Sequence, residues 1–146
     1  MPRLVLFMVA TTWAVVLAGG LWAQAPSNVW AGVYTTEQAA RGKAVFDGRD
    51  CVTCHAEDGR PGDDGVPPIV GPYFMSRWDG QTVGDITAFV WENMPRTKPR
   101  TLTPQEVADV TAYLLKLNDL PAGSTALPSD APGARGIRFT EAAPVR

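Results

Sequence analysis

The chain has 146 residues and a formal net charge of −2, from 13 basic and 15 acidic side chains. This length predicts one small domain, and a mildly acidic chain without a basic stripe excludes nucleic-acid binding as its expected role. The chain contains only two cysteines and one histidine, and its sequence has no internal repeat. A series of Cys/His motifs along the chain is therefore excluded.

Residues 1–25 have the features of a secretory signal peptide. Arg3 supplies a positive start, an apolar stretch follows, and Ala23-Gln24-Ala25 forms a small-residue cleavage site. Residues 4–23 carry no charge and are about long enough to span a bilayer, so an uncleaved membrane anchor is the alternative. Both interpretations place the rest of the chain outside the cytoplasm, in the periplasm or secreted. Residues 26–34 follow as a predicted linker.

Three segments combine a capping threonine with an apolar face and are predicted to be helices. They are residues 36–46, 82–93 and 104–117. Thr35 with Gln38 and Thr103 with Glu106 have the pattern of a capping box. Thr82 is the expected N-cap of the second segment, with Asp85 in its first turn. The third segment is the clearest, because its apolar residues recur at helical spacing. Those residues are Val107, Val110, Leu114 and Leu117.

No segment shows the sustained alternation of a strand, so the expected fold class is all-α. The tail, residues 121–146, is rich in proline and glycine. It either wraps the surface or is partly disordered, and the sequence leaves open whether Ile137 and Phe139 attach it to the core.

The run Cys51-Val52-Thr53-Cys54-His55 is the attachment signature for c-type haem. Its spacing lets two thiols add across the two vinyl groups of one haem and puts the imidazole under the iron. Because the chain has no other cysteine or histidine, it can attach one haem at most, with His55 as the proximal iron ligand. A zinc site would need four such ligands, and a thioredoxin-like redox motif would follow a strand, which is not predicted here.

An electron carrier also needs a second axial ligand, and methionine sulfur favours the ferrous state. After the signal peptide the candidates are Met75 and Met94. Met94 lies on the same helix face as Ile86 and Val90, at the end of the second predicted helix, where Pro95 stops it. Met75 lies in a segment typical of apolar packing. We therefore expect Met94 to be the distal ligand, while either methionine could instead fill a gap in the core.

Taken together, these features resemble the bacterial class I monohaem cytochrome c family, over residues 35–118. The residues that carry the resemblance are Gly42, Phe46, the Cys51–His55 motif, Pro67-x-Ile69-x-Gly71, Met94-Pro95 and Val110-x-x-Tyr113-Leu114. Ile69 departs from the leucine that is more common in the family. The resemblance implies a cytochrome c domain over residues 35–120, with three main helices and loops around one covalently bound haem c.

The resemblance also implies roles for single residues. Gly42 would let the first helix cross the last one closely at Tyr113, because it has no side chain. The carbonyl of Pro67, or alternatively Pro68, would accept the hydrogen bond of the proximal imidazole and so orient it. Trp78 would either donate its indole N–H to a haem propionate or serve as an ordinary core or rim residue.

The function expected from these residues is one-electron transfer in the periplasm, with no catalytic residues of its own. The partners would be redox proteins on the dehydrogenase or terminal-oxidase side, and the chain a monomer or a subunit of a complex. Arg96, Lys98 and Arg100 would form a positive rim for an acidic partner, or simply a solvated loop. Two alternatives stay open: a cytochrome subunit or dedicated acceptor of a periplasmic quinoprotein-type dehydrogenase, and a haem enzyme or gas sensor with an open sixth site.

Overall fold

The computed structural model describes residues 28–61 and 65–144, and the predicted signal peptide, residues 1–25, lies outside them. The described chain forms six helices and no strand, which confirms the predicted all-α fold. They are α1 (Thr36–Gly48), α2 (Cys51–His55), α3 (Gly71–Trp78), α4 (Val83–Asn93), α5 (Pro104–Leu117) and α6 (Ala131–Ala134). A 3-10 turn, Val29–Ala31, precedes α1. None of these helices has the length and hydropathy needed to cross a membrane.

The three predicted helices are present as α1, α4 and α5, with α1 two residues longer than expected. Two of these helices begin with a complete capping box: the one predicted at Thr103, and one at Thr82, which was predicted only as an N-cap. Thr82 and Asp85 bond each other's backbone N–H at the start of α4, and Thr103 and Glu106 do so at the start of α5. These reciprocal bonds satisfy N–H groups that the helix itself cannot pair, so the helices begin where the sequence signals place them.

The third capping box, at Thr35, is only half formed. Thr35 accepts the backbone N–H of Gln38 at 3.1 Å, but the Gln38 side chain does not return the bond. Its amide instead donates to the Leu127 carbonyl at 3.0 Å and accepts the Leu127 N–H at 2.7 Å. Gln38 is fully buried, so this long-range pairing satisfies both ends of an amide that water cannot reach.

The core is organised around the crossing of α1 and α5. A Cβ atom on Gly42 would lie 1.8 Å from the Asp109 carbonyl oxygen and 2.9 Å from Cβ of Tyr113. One turn further along α1, Phe46 packs edge-on against Tyr113 with ring centroids 5.4 Å apart. The predicted close approach of Gly42 to Tyr113 is therefore present, and no residue larger than glycine fits there.

We expect Gly42→Ala to lower the free energy of unfolding by about 3 kcal/mol, near the upper end for overpacked cores. The added methyl group would meet a backbone carbonyl, which cannot move away as a flexible side chain can. Gly48→Ala is the matched control, because no atom lies within 4 Å of its added Cβ at the end of the same helix. It should be neutral or stabilising by up to about 1 kcal/mol in denaturant unfolding of the holoprotein. Equal stabilities of the two variants would contradict the tight crossing.

The contact between Arg49, at the end of α1, and Glu106 of α5 predicts that the free energy of unfolding depends on pH. Hydrogen bonds from the Thr103 backbone and from Arg49 hold the pKa of Glu106 below its ordinary value of 4.5. A carboxyl group whose pKa is lower in the folded protein than in the unfolded chain makes its full contribution to stability above the unfolded-chain pKa. That contribution is lost as the pH falls through the folded-state pKa. Denaturant midpoints measured from about pH 6 to about pH 3 should fall less in Glu106→Gln than in the unchanged protein, because glutamine keeps the cap but does not titrate. Parallel curves would refute this contribution.

The segments flanking the predicted domain are part of the same packed unit. Val29, Val33 and Tyr34 of the predicted linker are buried, as are four apolar residues of the predicted tail. Those four are Leu127, Ala134, Ile137 and Phe139. Ile137 and Phe139 both attach the tail to the core, since Ile137 is 6% exposed and Phe139 is fully buried. The tail wraps the domain and contributes to its core.

Helix α3 was not predicted. Gly71 and Pro72 at its start favour a turn, and eight residues give too short a window for helical periodicity to stand out. Proline is nevertheless well suited to the first turn of a helix, and Phe74 and Trp78 are four residues apart on one buried face. This helix supplies one wall of the candidate functional site.

Candidate haem site

A cavity of about 550 Å³ lies between α2, α3, α4 and α5. Its size is within the range of pockets that bind cofactors and other small molecules, and its walls are mainly apolar. Every site residue predicted from the sequence lines this cavity. Those residues are Cys51, Cys54, His55, Pro67, Trp78 and Met94. Buried side chains of the helices complete the wall, among them Phe46, Phe74, Ile86, Val90, Val110 and Leu114.

The two cysteines are placed by the short helix α2. Their spacing of three residues brings Cys51 and Cys54 to one side of the helix, and both are free thiols with partly buried side chains. Burial raises the pKa of the Cys51 thiol to about 11. Cys51 is therefore protonated at neutral pH, which makes it a poor spontaneous nucleophile or metal ligand.

His55 ends α2 and is 9% exposed, with Phe46 packed against its ring at a centroid distance of 6.5 Å. Burial lowers the pKa of His55, so the imidazole is neutral at neutral pH. The neutral ring has a nitrogen lone pair to offer to a metal. Its Nδ1 atom is buried and has no hydrogen-bond partner in the described structure, although a buried polar atom of this kind normally has one.

Pro67 does not provide that partner here. The described structure has no hydrogen bond between His55 and the carbonyl of either Pro67 or Pro68. Residues 65–68 make no backbone hydrogen bond to any helix, and regular bonding resumes only at Ile69, whose N–H donates to Gly59. Nothing therefore fixes the Pro67 carbonyl at the imidazole, although both residues line the same cavity.

Met94 reaches the cavity from the end of α4. Its N–H still donates to the Val90 carbonyl at 2.9 Å, while its own backbone is extended, so the chain leaves the helix at this residue. Met94 is half-buried and lines the cavity. Met75 is also half-buried, but it packs against the core and does not line the cavity.

Trp78 is 6% exposed and sits inside a row of aromatic side chains along α3 and α4. Its ring centroid lies 6.3 Å from that of Phe74 and 5.6 Å from that of Phe89. The guanidinium of Arg77 lies over both Trp78 and Phe89, at 5.1 and 5.2 Å from their centroids. Arg77 lines the cavity but was not singled out from the sequence, because the helix that carries it was missed.

The predicted positive rim is only partly assembled at the cavity. Arg96 lines it, whereas Lys98 and Arg100 do not. Arg100 instead stacks over the exposed ring of Trp91, with 5.3 Å between its guanidinium carbon and the ring centroid. In the described residues, none of these three cations has an ion-pair partner.

Two potential thioether sulfurs, a neutral buried imidazole with an unpartnered nitrogen and a methionine thus meet at one apolar cavity. The sequence model of the family described as "Cytochrome c" matches residues 39–118 of the chain. The chain belongs to the cytochrome c family. Membership indicates haem c binding, and the residues that line this cavity fit that group. It also confirms the resemblance noted from the sequence motifs.

Part of this chain is also similar in sequence to a characterised protein. The chain is 31% identical over 86 residues to "Thiosulfate dehydrogenase" of Thiomonas intermedia (strain K12). The aligned part covers 56% of this chain but only 27% of that protein, so the chain spans about a quarter of its relative's length. No solved structure matches the chain.

Proposed function

We propose that the chain is a one-electron carrier of the periplasm, with one haem c joined to Cys51 and Cys54 and with His55 and Met94 as axial ligands. The observation that carries the proposal is that these four residues line a single apolar cavity, while the other candidate methionine does not. A haem c bound there supplies a one-electron couple between ferric and ferrous iron.

The protein's own part is binding, orientation and exclusion of water. Cys51 and Cys54 would hold the haem covalently through thioethers, and burial keeps His55 in the neutral form that would bind iron. Met94 would supply the second axial ligand, and a thioether in that role would favour the ferrous state. The apolar walls from α3, α4 and α5 shield the group from solvent, which limits rearrangement around it between the two oxidation states.

Two residues complete the proposed site. The unpartnered Nδ1 of His55 supports Pro67 as the acceptor that orients the imidazole in the holoprotein, because leaving a buried donor unpaired costs about 1–3 kcal/mol. Trp78 borders the cavity and is held between Phe74 and Phe89. We assign it a structural part in the wall, with its indole N–H available to a propionate.

The experiment that tests this proposal is an optical spectrum of the exported protein, oxidised and reduced, followed by addition of carbon monoxide. We expect a c-type reduced spectrum, a methionine–iron charge-transfer band at the red end of the oxidised spectrum, and no shift with carbon monoxide at neutral pH. A five-coordinate spectrum that shifts with carbon monoxide would instead place the protein among haem enzymes or gas sensors with an open sixth site.

A second candidate function is supported by the similarity to part of a thiosulfate dehydrogenase. The chain would then be the cytochrome subunit or dedicated electron acceptor of a periplasmic dehydrogenase, and a quinoprotein-type partner stays a prediction from the sequence. Mixing the ferric protein with thiosulfate distinguishes the cases. Reduction by thiosulfate alone would point to an enzyme, and reduction only after a purified thiosulfate-oxidising partner is added would point to a dedicated acceptor. Failure of both would leave the free carrier.

A further inference from the structure

The segments on either side of the matched cytochrome c region are joined to each other across the molecule. The indole N–H of Trp30 donates to the Thr140 carbonyl at 2.9 Å, and the Val29 N–H donates to the Arg138 carbonyl at the same distance. Gly123 donates to the Tyr34 carbonyl at 2.7 Å. Residues 28–38 and 119–144 therefore pack together as one structured unit beside the matched cytochrome c region.

Within this unit, residues 137–139, here called the strap, run beside the turn between α3 and α4. The Ile137 carbonyl accepts the Val83 N–H at 2.9 Å, and the Phe139 N–H donates to the Gln81 carbonyl at 2.8 Å. The Phe139 carbonyl in turn accepts the Gly80 N–H at 3.1 Å. Three backbone bonds thus fix the end of α3 and the beginning of α4 relative to the strap.

The side chain of Phe139 extends this contact towards the cavity. It is fully buried and packs edge-on against Phe74, with ring centroids 6.0 Å apart. Phe74 continues the row to Trp78, and Trp78 to Phe89. Phe74, Trp78 and Phe89 all line the cavity, whereas Phe139 lies one layer behind them. Phe139 is the ring that backs the aromatic wall.

Helix α4 connects this wall to the distal ligand. Its first residue is bonded to the strap, and its 11 residues end just before Met94. A Cβ on Gly84 in its first turn would lie 2.6 Å from the Ala131 carbonyl, so α6 of the same tail also packs closely on it. A helix held this firmly at its start is about 16 Å long and carries Met94 at a defined position at its other end.

We propose that Phe139 is a positioning residue for the haem site: by backing the wall formed by Phe74, Trp78 and Phe89, it keeps α4 in the place from which Met94 closes the sixth position. This inference rests on the proposed function, in which Met94 is the distal ligand. It predicts that loosening the strap opens the site to external ligands even though Phe139 does not line the cavity.

The test compares three variants of the full-length holoprotein with the unchanged protein. Phe139→Ala removes the ring, and Phe139→Leu keeps an apolar side chain but loses the edge-on contact. Leu127→Ala is the matched control, because Leu127 is buried in the same tail but is bonded to Gln38 of α1 and does not line the cavity. The readouts are thermal stability, the methionine–iron band and carbon monoxide binding by the ferrous protein at neutral pH.

Phe139→Ala is expected to weaken the band and to raise the apparent affinity for carbon monoxide at least about tenfold, because the open state becomes more populated. Phe139→Leu should change both in the same direction by less, and it decides the question if the alanine variant does not accumulate. Leu127→Ala should lose thermal stability but keep the band and the closed site. Such a split separates positioning of the ligand from general stabilisation of the fold.

Two results would overturn the proposal. If the unchanged protein has the band and excludes carbon monoxide, but the Phe139 variants do so as well, or Leu127→Ala opens equally, Phe139 has no specific positioning role and the proposed function stands. If the unchanged protein already lacks the band and binds carbon monoxide, the assignment of Met94 fails, and the role of Phe139 fails with it.

Discussion

Replacing Met94 by alanine is expected to abolish the methionine–iron charge-transfer band, to let the ferrous protein bind carbon monoxide, and to lower the reduction potential. The loss follows from the position of Met94, which lines the cavity at the point where the chain leaves α4. A thioether ligand stabilises ferrous over ferric iron. We expect the potential to fall by at least about 60 mV, which corresponds to a tenfold change in that preference for a one-electron couple.

Met75→Ala is the matched control for this variant. Met75 has a half-buried side chain that packs against the core without lining the cavity, so its removal should cost stability but leave the band and the potential unchanged. Optical spectra and reduction potentials of the two purified holoprotein variants show which methionine is the ligand. Retention of the band in Met94→Ala, together with its loss in Met75→Ala, would transfer the role of ligand to Met75.

Removing either thiol is expected to have the second large effect, on the assembly of the protein rather than on its spectrum. Cys51→Ala and Cys54→Ala should each yield less than about a tenth of the normal amount of holoprotein. The cavity of about 550 Å³ lies between four helices of a small domain, and such domains commonly depend on a bound group for stability. The amount of haem that stays with the chain in a denaturing gel, and the mass of the chain, measure this directly.

Thr53→Ala provides the control for the motif itself. Thr53 lies between the two cysteines and is exposed, so alanine keeps both thiols and the helix while changing the same short segment. This variant should accumulate as holoprotein with the mass of one attached haem. Normal yields of both cysteine variants, with haem that acid extracts completely, would contradict attachment through Cys51 and Cys54.

The helices that could be predicted are those whose start signals are local. At Thr82 and Thr103, the capping residue and its acidic partner lie within one turn, and the structure contains both reciprocal bonds. The capping box predicted at Thr35 is only half formed, because the Gln38 side chain pairs with Leu127, which lies 89 residues further along the chain. Spacing along the sequence cannot reveal such a partner.

Helix α3 and the strap also depend on contacts that spacing along the sequence cannot reveal. From the sequence, the chain near Phe74 is typical of apolar packing and Phe139 has no assigned place, because neither segment has a periodicity long enough to predict its neighbours. In the structure their rings pack edge-on, and the strap bonds to the turn that follows α3. Their importance depends on contacts across 65 positions of sequence, which only folding brings together.

The sequence by itself determined the chemistry available to this protein. One Cys-x-x-Cys-His motif indicates haem c, the single histidine is the one histidine available as its proximal ligand, and capping residues mark where three helices begin. The tertiary structure decided which side chains share a cavity. It brings Met94, but not Met75, to the cavity that His55 also lines, and it leaves the Pro67 carbonyl unbonded to the imidazole. The reason is physical: caps and attachment motifs act within one or two turns, whereas a cavity wall is set by the packing of residues far apart in the chain.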